Sequence, residues 1–448
     1  MAGTNFASQF SSDIEQFIQD KTMPLVQRQL VAYKFGDPLR LPKNRGTTYT
    51  ASRYDRVPLP FAPLSEGVPP IGETMPLAQV SATAQQWGDK IAITDVAELT
   101  IKHPLFQKAI ELCGMAMAET LERNTFNTLL AGTQIDYVGS VGSRAALGSG
   151  NVLSPFEIIR ATANMATLGA PMYDGQEQAD YEKMAGKPSM ASSNPRMMPH
   201  YVALIHPLSA SDFRQNSTVQ TAWSYSDINR LYNFEIGEWG GIRFCQSNLV
   251  PFFVGVAAVT GTGSTTGGTL AANTYYIQVT GSPSLTSQEQ RIYQVSGAIT
   301  TTGSTSSISV TTPNVPGYVF NVYIGTSVAP VNLATSTSGP TSGPLTGQAT
   351  QLAPNTTVVL TGVGISQTPP AAPATGVTVY PTFVLGKNAY GQVMLDDPKF
   401  TYLKGADKSD PLNQLRVIGW KVFYGTLIEN QNFFMRIEAA SAFSGTFG

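Results

Sequence analysis

Charge is the first thing this sequence is short of. Asp, Glu, Lys and Arg make up 13% of its 448 residues, about half the usual share. The two signs nearly cancel, leaving a formal net charge of -2. That balance argues against a dedicated nucleic-acid binder, whose basic patch must displace counterions, and against a polybasic membrane-surface protein. Cysteine is scarcer still: Cys113 and Cys245 stand alone. Disulfide-stapled scaffolds are far denser than this, so two buried thiols are expected. The three histidines, His103, His200 and His206, form no pair and no Cys/His spacing that suits zinc. His103 and His206 each precede a proline at an expected helix start, where local hydrogen bonding is the expected role. The longest apolar run, Leu249 to Val259, is too short to cross a bilayer. The opening MAGTNFASQFSSDIEQF lacks a basic n-region and an apolar h-region, so no signal peptide is expected. The expectation is a soluble chain made in a reducing cytoplasm.

Catalytic patterns are missing as well. Gly186–Lys187 is followed by Pro188, and Gly386–Lys387 by Asn388, so neither completes a phosphate-binding G-x-x-x-x-G-K-[ST] loop. The run GTGSTTGG at 261–268 lies among β-runs, with no strand–helix context to cradle a phosphate. Asp89, Asp95 and Glu98 fall close together; a polar strand-to-helix corner is expected there rather than an acid/base pair. The sequons at Asn216 and Asn355 mean little without a secretory signal. No catalytic, cofactor-binding or metal-binding residue is assigned, no cofactor is implied, and the chain is not expected to be an enzyme.

What is present begins with one long amphipathic helix over 104–131. Pro104 suits its first position. Leu105, Phe106, Ala109, Ile110, Leu112, Cys113, Ala116, Met117, Thr120 and Leu121 recur at helical spacing and predict one apolar face. Gln107, Lys108, Glu111, Glu119, Glu122 and Arg123 mostly fall on the other, and Gly132 gives a stop. Such a helix spans roughly 40 Å, longer than a compact domain needs, so something flat or extended is expected along it.

Around this helix the chain divides. Residues 1–45 read as an arm with too little apolar sequence for its own core; Ser12 to Glu15 there resembles a capping box. Residues 46–95 read as an extended two-stranded excursion, β-rich at both ends. Its tip is crowded by Pro58, Pro60, Pro63, Pro69, Pro70 and Pro76, which excludes helix and central strand. An isolated hairpin is marginal in water and its edges invite pairing, so a neighbour is expected to cover it. Residues 96–251 hold the long helix, a second helix over 154–168 with Ser154 and Glu157 as a capping box, a strand at 201–205, a short helix from Pro207, and a turn and strand at 237–248. From Phe252 to Gly376 the only charges are Glu289 and Arg291. Short β-runs at 274–280, 291–295, 307–311, 318–324 and 356–360 predict an inserted all-β sandwich over 252–376. The earlier composition returns at 377–448, with strands expected at 377–385, 390–395, 415–428 (interrupted at Gly419 and Gly425) and 433–439. The fold class is α+β with an insertion.

The order of these parts resembles the major capsid proteins of tailed bacteriophages, the Hong Kong 97-type capsid fold, and most of all the family typified by coliphage N-four. RYDRVPLPFAPLSEGVPP (53–70), VAELTIKHPLFQKAIELCGMAMAETLERNTFNTL (96–129), YVALIHPLSASDFR (201–214) and DPLNQLRVIGWKVFYGTLIENQNFFMRIEAAS (410–441) carry the likeness. It covers about 20–250 and 378–443. The insertion lies outside it and looks like an immunoglobulin-like or fibronectin-III-like module.

The resemblance implies an N-terminal arm, an extended loop, a spine helix, and peripheral and axial domains. It implies a virion structural protein that self-assembles into hexamers and pentamers of an icosahedral shell around packaged double-stranded DNA, built in the bacterial host cytoplasm. Portal, scaffolding and decoration proteins are the implied partners, and no membrane is. No scaffolding segment is expected ahead of the arm. The competing reading is a surface adhesin or carbohydrate-active protein with an appended β-sandwich. The missing signal peptide and catalytic group count against it.

Overall fold

The computed structural model describes residues 4–5, 31–42, 44, 46–54, 57, 59, 63, 72–101, 104–173, 199–220, 235–283, 288–337, 348–403 and 414–443. Among these the chain is α+β and mostly sheet. Its α-helices are α1 (Asp95–Thr100), α2 (Leu105–Leu130), α3 (Pro155–Thr167) and α4 (Pro207–Gln215).

The long helix α2 lies on a six-stranded sheet. Its strands run in the order Thr4–Asn5, Gln85–Thr94, Leu415–Ile428, Tyr390–Met394 and Asp37–Arg40, with Lys399–Leu403 also paired to Leu415–Ile428. Ala109, Cys113 and Leu121 of the helix meet Ile93, Ile418, Trp420, Val422 and Tyr424 of the sheet. Small side chains at 109 and 113, one turn apart, let the helix sit close. Each large aliphatic buried here contributes about 1.5–3 kcal/mol.

Two expectations about α2 are corrected. Pro104 caps the helix rather than opening it, with φ -73° and ψ 73°. The apolar stripe is also narrower and turns further round than the sequence pattern predicts. Ile110 and Leu112 are exposed, whereas Glu122, placed on the polar side by its charge, is fully buried beside Leu121, Thr125, Phe126 and Leu129. A straight helix touches a twisted sheet along one line, and over its last three turns that line runs through Glu122.

The second sheet is larger and joins two regions. Its core part centres on Thr378–Leu385, Phe434–Ala440 and Tyr201–Ile205, strands in which every residue is buried. Such continuous burial follows from cover on both faces: α3 and α4 supply Ile158, Ala161, Met165, Ala210 and Phe213 on one side, and α2 supplies Phe126 and Leu129 on the other. The expected turn and strand at 237–248 is a hairpin, Glu235–Trp239 with Ile242–Gln246, turning at Gly240 (φ 60°) and Gly241 (φ 77°).

The chain leaves this core along Phe253–Val256 and returns along Thr378–Leu385, and these two strands pair antiparallel at Phe253↔Val379 and Val254↔Thr378. Further along, Phe383–Leu385 pairs on the same strand with Val202–Leu204. Pro381, which has no N–H to give, lies in the gap between the two pairings. Between the departing and returning strands, Thr274–Pro283, Tyr318–Gly325, Asn332–Ser336, Thr357–Ser366, Ser307–Thr311 and Gly261–Ser264 form a run of antiparallel neighbours. They enclose their own core of Ile277, Val279, Ile308, Val310, Phe320, Val322, Val358 and Leu360. The Gly-rich run at 261–268 supplies the last of these strands.

Other differences are local. The excursion expected over 46–95 with two strands holds three: Thr48–Tyr54 and Leu77–Thr83 pair with each other, and Gln85–Thr94 enters the six-stranded sheet. Leu415–Ile428 runs unbroken through both glycines. A Cβ on Gly425 would stand 2.7 Å from the Thr83 carbonyl oxygen, so glycine there admits the hairpin's end rather than interrupting the strand. Ser154 makes no side-chain cap at α3; Glu157 instead accepts from the Gly139 N–H (3.1 Å) and pairs with Arg160. The expected capping box at Ser12–Glu15, most of the proline tip, His103, Gly186–Lys187–Pro188 and the start of the stretch 410–441 lie outside the described residues.

Candidate assembly surfaces

Residues Thr48–Tyr54 and Leu77–Thr83 pair antiparallel from Thr48↔Thr83 to Tyr54↔Leu77 and join no other sheet among the described residues. Both strands alternate between exposed and half-buried, with no buried residue. At the base, Tyr49, Val80 and Ala82 rest on Leu41, Ala84, Val393 and Leu427. Beyond that support the apolar side chains stand in solvent: Tyr54 is 66% exposed, Met75 67% and Leu59 82%. Of the exposed groups, Tyr54 lies opposite Leu77, itself 49% exposed, at the far end of the strands, and a shared exposed apolar area marks an interaction surface.

Further exposed apolar groups lie on the helices and on one strand. Leu99 of α1 is 85% exposed, with Val96 beside it on the same short helix. Ile110 and Leu112 open from α2, and Phe400 from Lys399–Leu403. The ring of Phe106 meets that of Tyr402 at 4.5 Å between centroids. On α3, Phe156 and Ile159 face outward, one turn apart.

The residues considered for chemistry are spread through the fold. His206 caps α4, its Nδ1 accepting from the Leu208 N–H at 3.3 Å, as its position before Pro207 predicts. Its ring lies 4.7 Å from that of Tyr380 and 5.9 Å from that of Phe252, and burial lowers its pKa to about 4. His200 is buried, its main chain paired with Tyr173. Cys113 and Cys245 are free and buried. Burial, then Asp89, pushes the Cys113 thiol up; burial, then Glu235, takes Cys245 to about 12. Neither is a ready nucleophile. Asp89 and Asp95 accept from the N–H groups of Lys90 and Val96, and Glu98 pairs with Arg416. Gly386 and Asn388 shape a turn, Lys387 N–H donating to Pro171 O. Asn216 ends α4, and Asn355 holds φ 51°. Among the described residues no three His, Cys, Asp or Glu side chains converge on a metal position, and no helix is long and apolar enough to cross a membrane.

Buried charged groups escaped the sequence reading, among them the pair Arg243–Glu235 (2.8 Å) and two groups that join distant parts of the chain. Glu438, fully buried, takes a two-pronged pair from Arg144 (2.7 and 2.5 Å) and lies 3.0 Å from Arg436 Nε. Arg144 also donates to Ala371 O at 3.0 Å and stacks on the Phe253 ring at 3.9 Å. Arg436 donates to Leu130 O at the end of α2. The cluster thus ties both ends of the inserted region to the long helix and borders a cleft of roughly 540 Å³. Across that cleft, Gln288 contacts Asn127 (3.3 Å) and Arg123 (3.4 Å) of α2.

The other such group is the lone carboxylate of Glu122. Its Oε1 accepts from the N–H groups of Val31 (2.8 Å) and Ala32 (2.7 Å), and its Oε2 from that of Tyr33 (2.8 Å). Burial raises its pKa, against the pull of those three bonds and of Lys34. A signal for this residue was present: Glu122 stands four and seven residues before Phe126 and Leu129, in the line of the buried stripe.

No protein-family model and no curated protein matches this sequence. Solved structures similar to it include the capsid of cyanophage P-SCSP1u, 12% identical, covering 95% of this chain and 93% of that one at a TM-score of 0.48. The capsid of Ralstonia phage GP4 is 9% identical, with 95% of each chain covered and a TM-score of 0.48. The head structure of Helicobacter pylori bacteriophage KHP40 is 7% identical, with 98% of each chain covered and a TM-score of 0.49. At these identities and TM-scores they are likenesses in outline, and no role follows from them.

Proposed function

We propose that this chain is a major capsid protein of a tailed bacteriophage, with the Hong Kong 97-type fold and the coliphage N-four-like family as its nearest kin. The observation that carries the reading is the hairpin Thr48–Tyr54/Leu77–Thr83. It is a two-stranded sheet with no buried residue and with apolar side chains beyond its base. A lone hairpin of that kind is marginal; a second copy lying under it supplies the missing face. The long helix on its sheet serves as a stiff plate, and the outward apolar groups of α1, α2 and α3 serve as further contacts between copies. Heterologous contacts of this sort close into rings and shells.

In this reading residues 1–45 are the arm, 46–95 the extended loop, 96–251 and 377–448 the capsid core, and 252–376 an immunoglobulin-like insertion facing outward for decoration or for attachment to host glycans. The work of the chain is assembly around packaged double-stranded DNA rather than catalysis. Near-neutral charge suits a wall that must not grip its contents. Portal, scaffolding and decoration proteins are its partners in the virion, and the host cytoplasm is where it assembles.

Sedimentation velocity of the purified chain, with negative-stain images of the fastest fraction, tests this. Shells, tubes or capsomer-sized rings are expected. A chain that stays monomeric or dimeric even with portal and scaffolding proteins supplied would overturn the reading, and binding of the 252–376 region to a glycan array would then favour the adhesin.

A further inference from the structure

We propose that Glu122 is the positioning residue that anchors the turn at 31–34 of the N-terminal arm to the long helix. The grip is made on the arm's main chain alone. Three successive N–H groups, those of Val31, Ala32 and Tyr33, converge on one carboxylate about ninety residues away. They are the unpaired donors that open the short 3-10 turn Ala32–Lys34, which no side chain of its own segment caps. Successive N–H groups turned to one side form a concave anion seat, and here the long helix provides the anion.

The opposite side of the same turn is held too. Tyr390 OH donates to Ala32 O, and Gln392 Nε2 donates to Tyr33 O at 2.7 Å. Val31 and Ala32 are buried against Phe126 and Leu129. The turn is thus clamped between α2 and the six-stranded sheet, with donors satisfied from one and carbonyls from the other. A carboxylate is the acceptor that suits this seat, because two oxygens serve three donors with no hydrogen of their own to turn away. The position of this turn is thereby set by the helix that the rest of the core is built on, through the main chain of 31–33 alone. Its consequence for assembly rests on the shell reading above; the anchor itself does not.

The test is hydrogen–deuterium exchange on the full chain, with particle formation scored in parallel. Glu122→Gln keeps the shape but puts an NH2 group against the converging donors; Glu122→Ala removes the acceptor. In Glu122→Gln the peptide covering 31–35 is expected to exchange at least ~10-fold faster, while peptides within 121–129 and 415–428 keep wild-type rates. Tyr390→Phe, which loosens only the carbonyl side, is expected to give a smaller acceleration confined to the same peptide. Unchanged exchange at 31–35 in both Glu122 variants would overturn the anchor. So would an equal acceleration in all peptides, which would make Glu122 an ordinary core residue. Wild type forming closed shells and Glu122→Gln forming open or irregular ones, with rates elsewhere unchanged, is the result expected for assembly. Normal shells from a variant whose 31–35 peptide is deprotected would refute the link to assembly. Absence of shells from wild type would instead count against the shell reading and leave the exchange result to judge the anchor.

Discussion

The hairpin at 48–83 and the inserted region at 252–376 are both β-structure from sequences rich in Thr, Ser, Ala and Val, yet they have opposite relations to solvent. The inserted region turns Ile277, Val279, Phe320, Val322, Val358 and Leu360 into a closed interior of its own. The hairpin buries nothing fully and carries Tyr54, Met75 and Leu77 outward. Strand propensity is therefore not what separates them. The inserted region has enough strands to fold over on itself, whereas two strands cannot cover their own faces. A region that closes on itself is complete within one chain, and a region that cannot is half of a contact.

The largest effect that bears on this contrast is expected inside the insertion. Phe320 is fully buried, its ring edge-on to Tyr293 at 6.3 Å. Phe320→Ala should cost about 3–5 kcal/mol. Calorimetry should show that loss in a transition belonging to the inserted strands, with the core transition in place. A single transition falling as a whole would mean that the continuous sheet makes the two regions one cooperative unit, and the contrast would fail.

Removing residues 255–374 altogether should cost the core less. Val254 and Thr378 are already paired, so the deletion leaves Thr375, Gly376 and Val377 to join them, and Gly376 has φ 81°. A three-residue hairpin loop with a glycine at positive φ is a common connection. The core loses the Ala371 carbonyl that Arg144 donates to at 3.0 Å, about 1.5–3 kcal/mol for a bond to a charged group, together with the Gln288 contacts to Asn127 and Arg123 and the Gln290 carbonyl that takes the Val254 N–H. Particle formation is expected to survive. A deleted chain that folds but does not assemble would show that the insertion takes part in the contacts between copies.

How far the sequence could be read follows the same division. Where a side chain's environment is set by near neighbours, the pattern sufficed. Tyr201–Ile205, Ser307–Thr311, the start of α4 at His206–Pro207 and the stop of α3 before Gly169 (φ 71°) all lie where period, proline or glycine put them. Where the environment is set by a distant segment, it did not. Glu122 read as a surface residue because its partners, Val31 to Tyr33, are ninety residues away. Glu438 and Arg144 find each other across 294 residues, and Gly425 of Leu415–Ile428 reads as a break because the approach of Thr83 is invisible in the local sequence. The hairpin was legible as a hairpin, and its lack of self-burial follows from strand number. In the reading proposed above, a second copy of the chain covers it, and one chain's sequence cannot display that contact.

The boundary between the two regions can be located by pH. His206 sits where they meet, against Phe252, the residue before the departing strand, and Tyr380 of the returning one. Its Nδ1 must stay unprotonated to accept from Leu208, and burial holds its pKa at about 4 against an ordinary 6.5. The unfolded chain takes up the proton as pH drops below 6.5, whereas the native chain does so only near 4. The stabilisation is therefore complete above the unfolded value and is lost as pH falls through the folded one, on the order of 1–3 kcal/mol. Urea midpoints between pH 7.5 and pH 4 should decline in wild type. His206→Asn, which keeps an N-cap acceptor, should show a shallower decline. Equal slopes would assign the acid loss to carboxylates elsewhere and detach the seam from pH.

The smallest expected effect on stability is the most telling for function. Tyr54 and Leu77 face each other at the far end of the paired strands, both exposed. Replacing both with Asn removes no buried contact, so the chain's own stability should move by no more than about 0.5 kcal/mol. If a second copy covers that end of the hairpin, the same double substitution uncovers polar groups inside a contact between copies, and sedimentation should shift from particles to small species. Loss of several kcal/mol in the isolated chain would mean that the hairpin is already covered from within, and the contrast with the insertion would be false. Unchanged stability with unchanged particles would make the apolar tip an ordinary surface and move the burden of assembly to α1 and α3. Loss of particles at unchanged stability is the one combination that a residue belonging to a neighbour's surface can give and a residue belonging to its own core cannot.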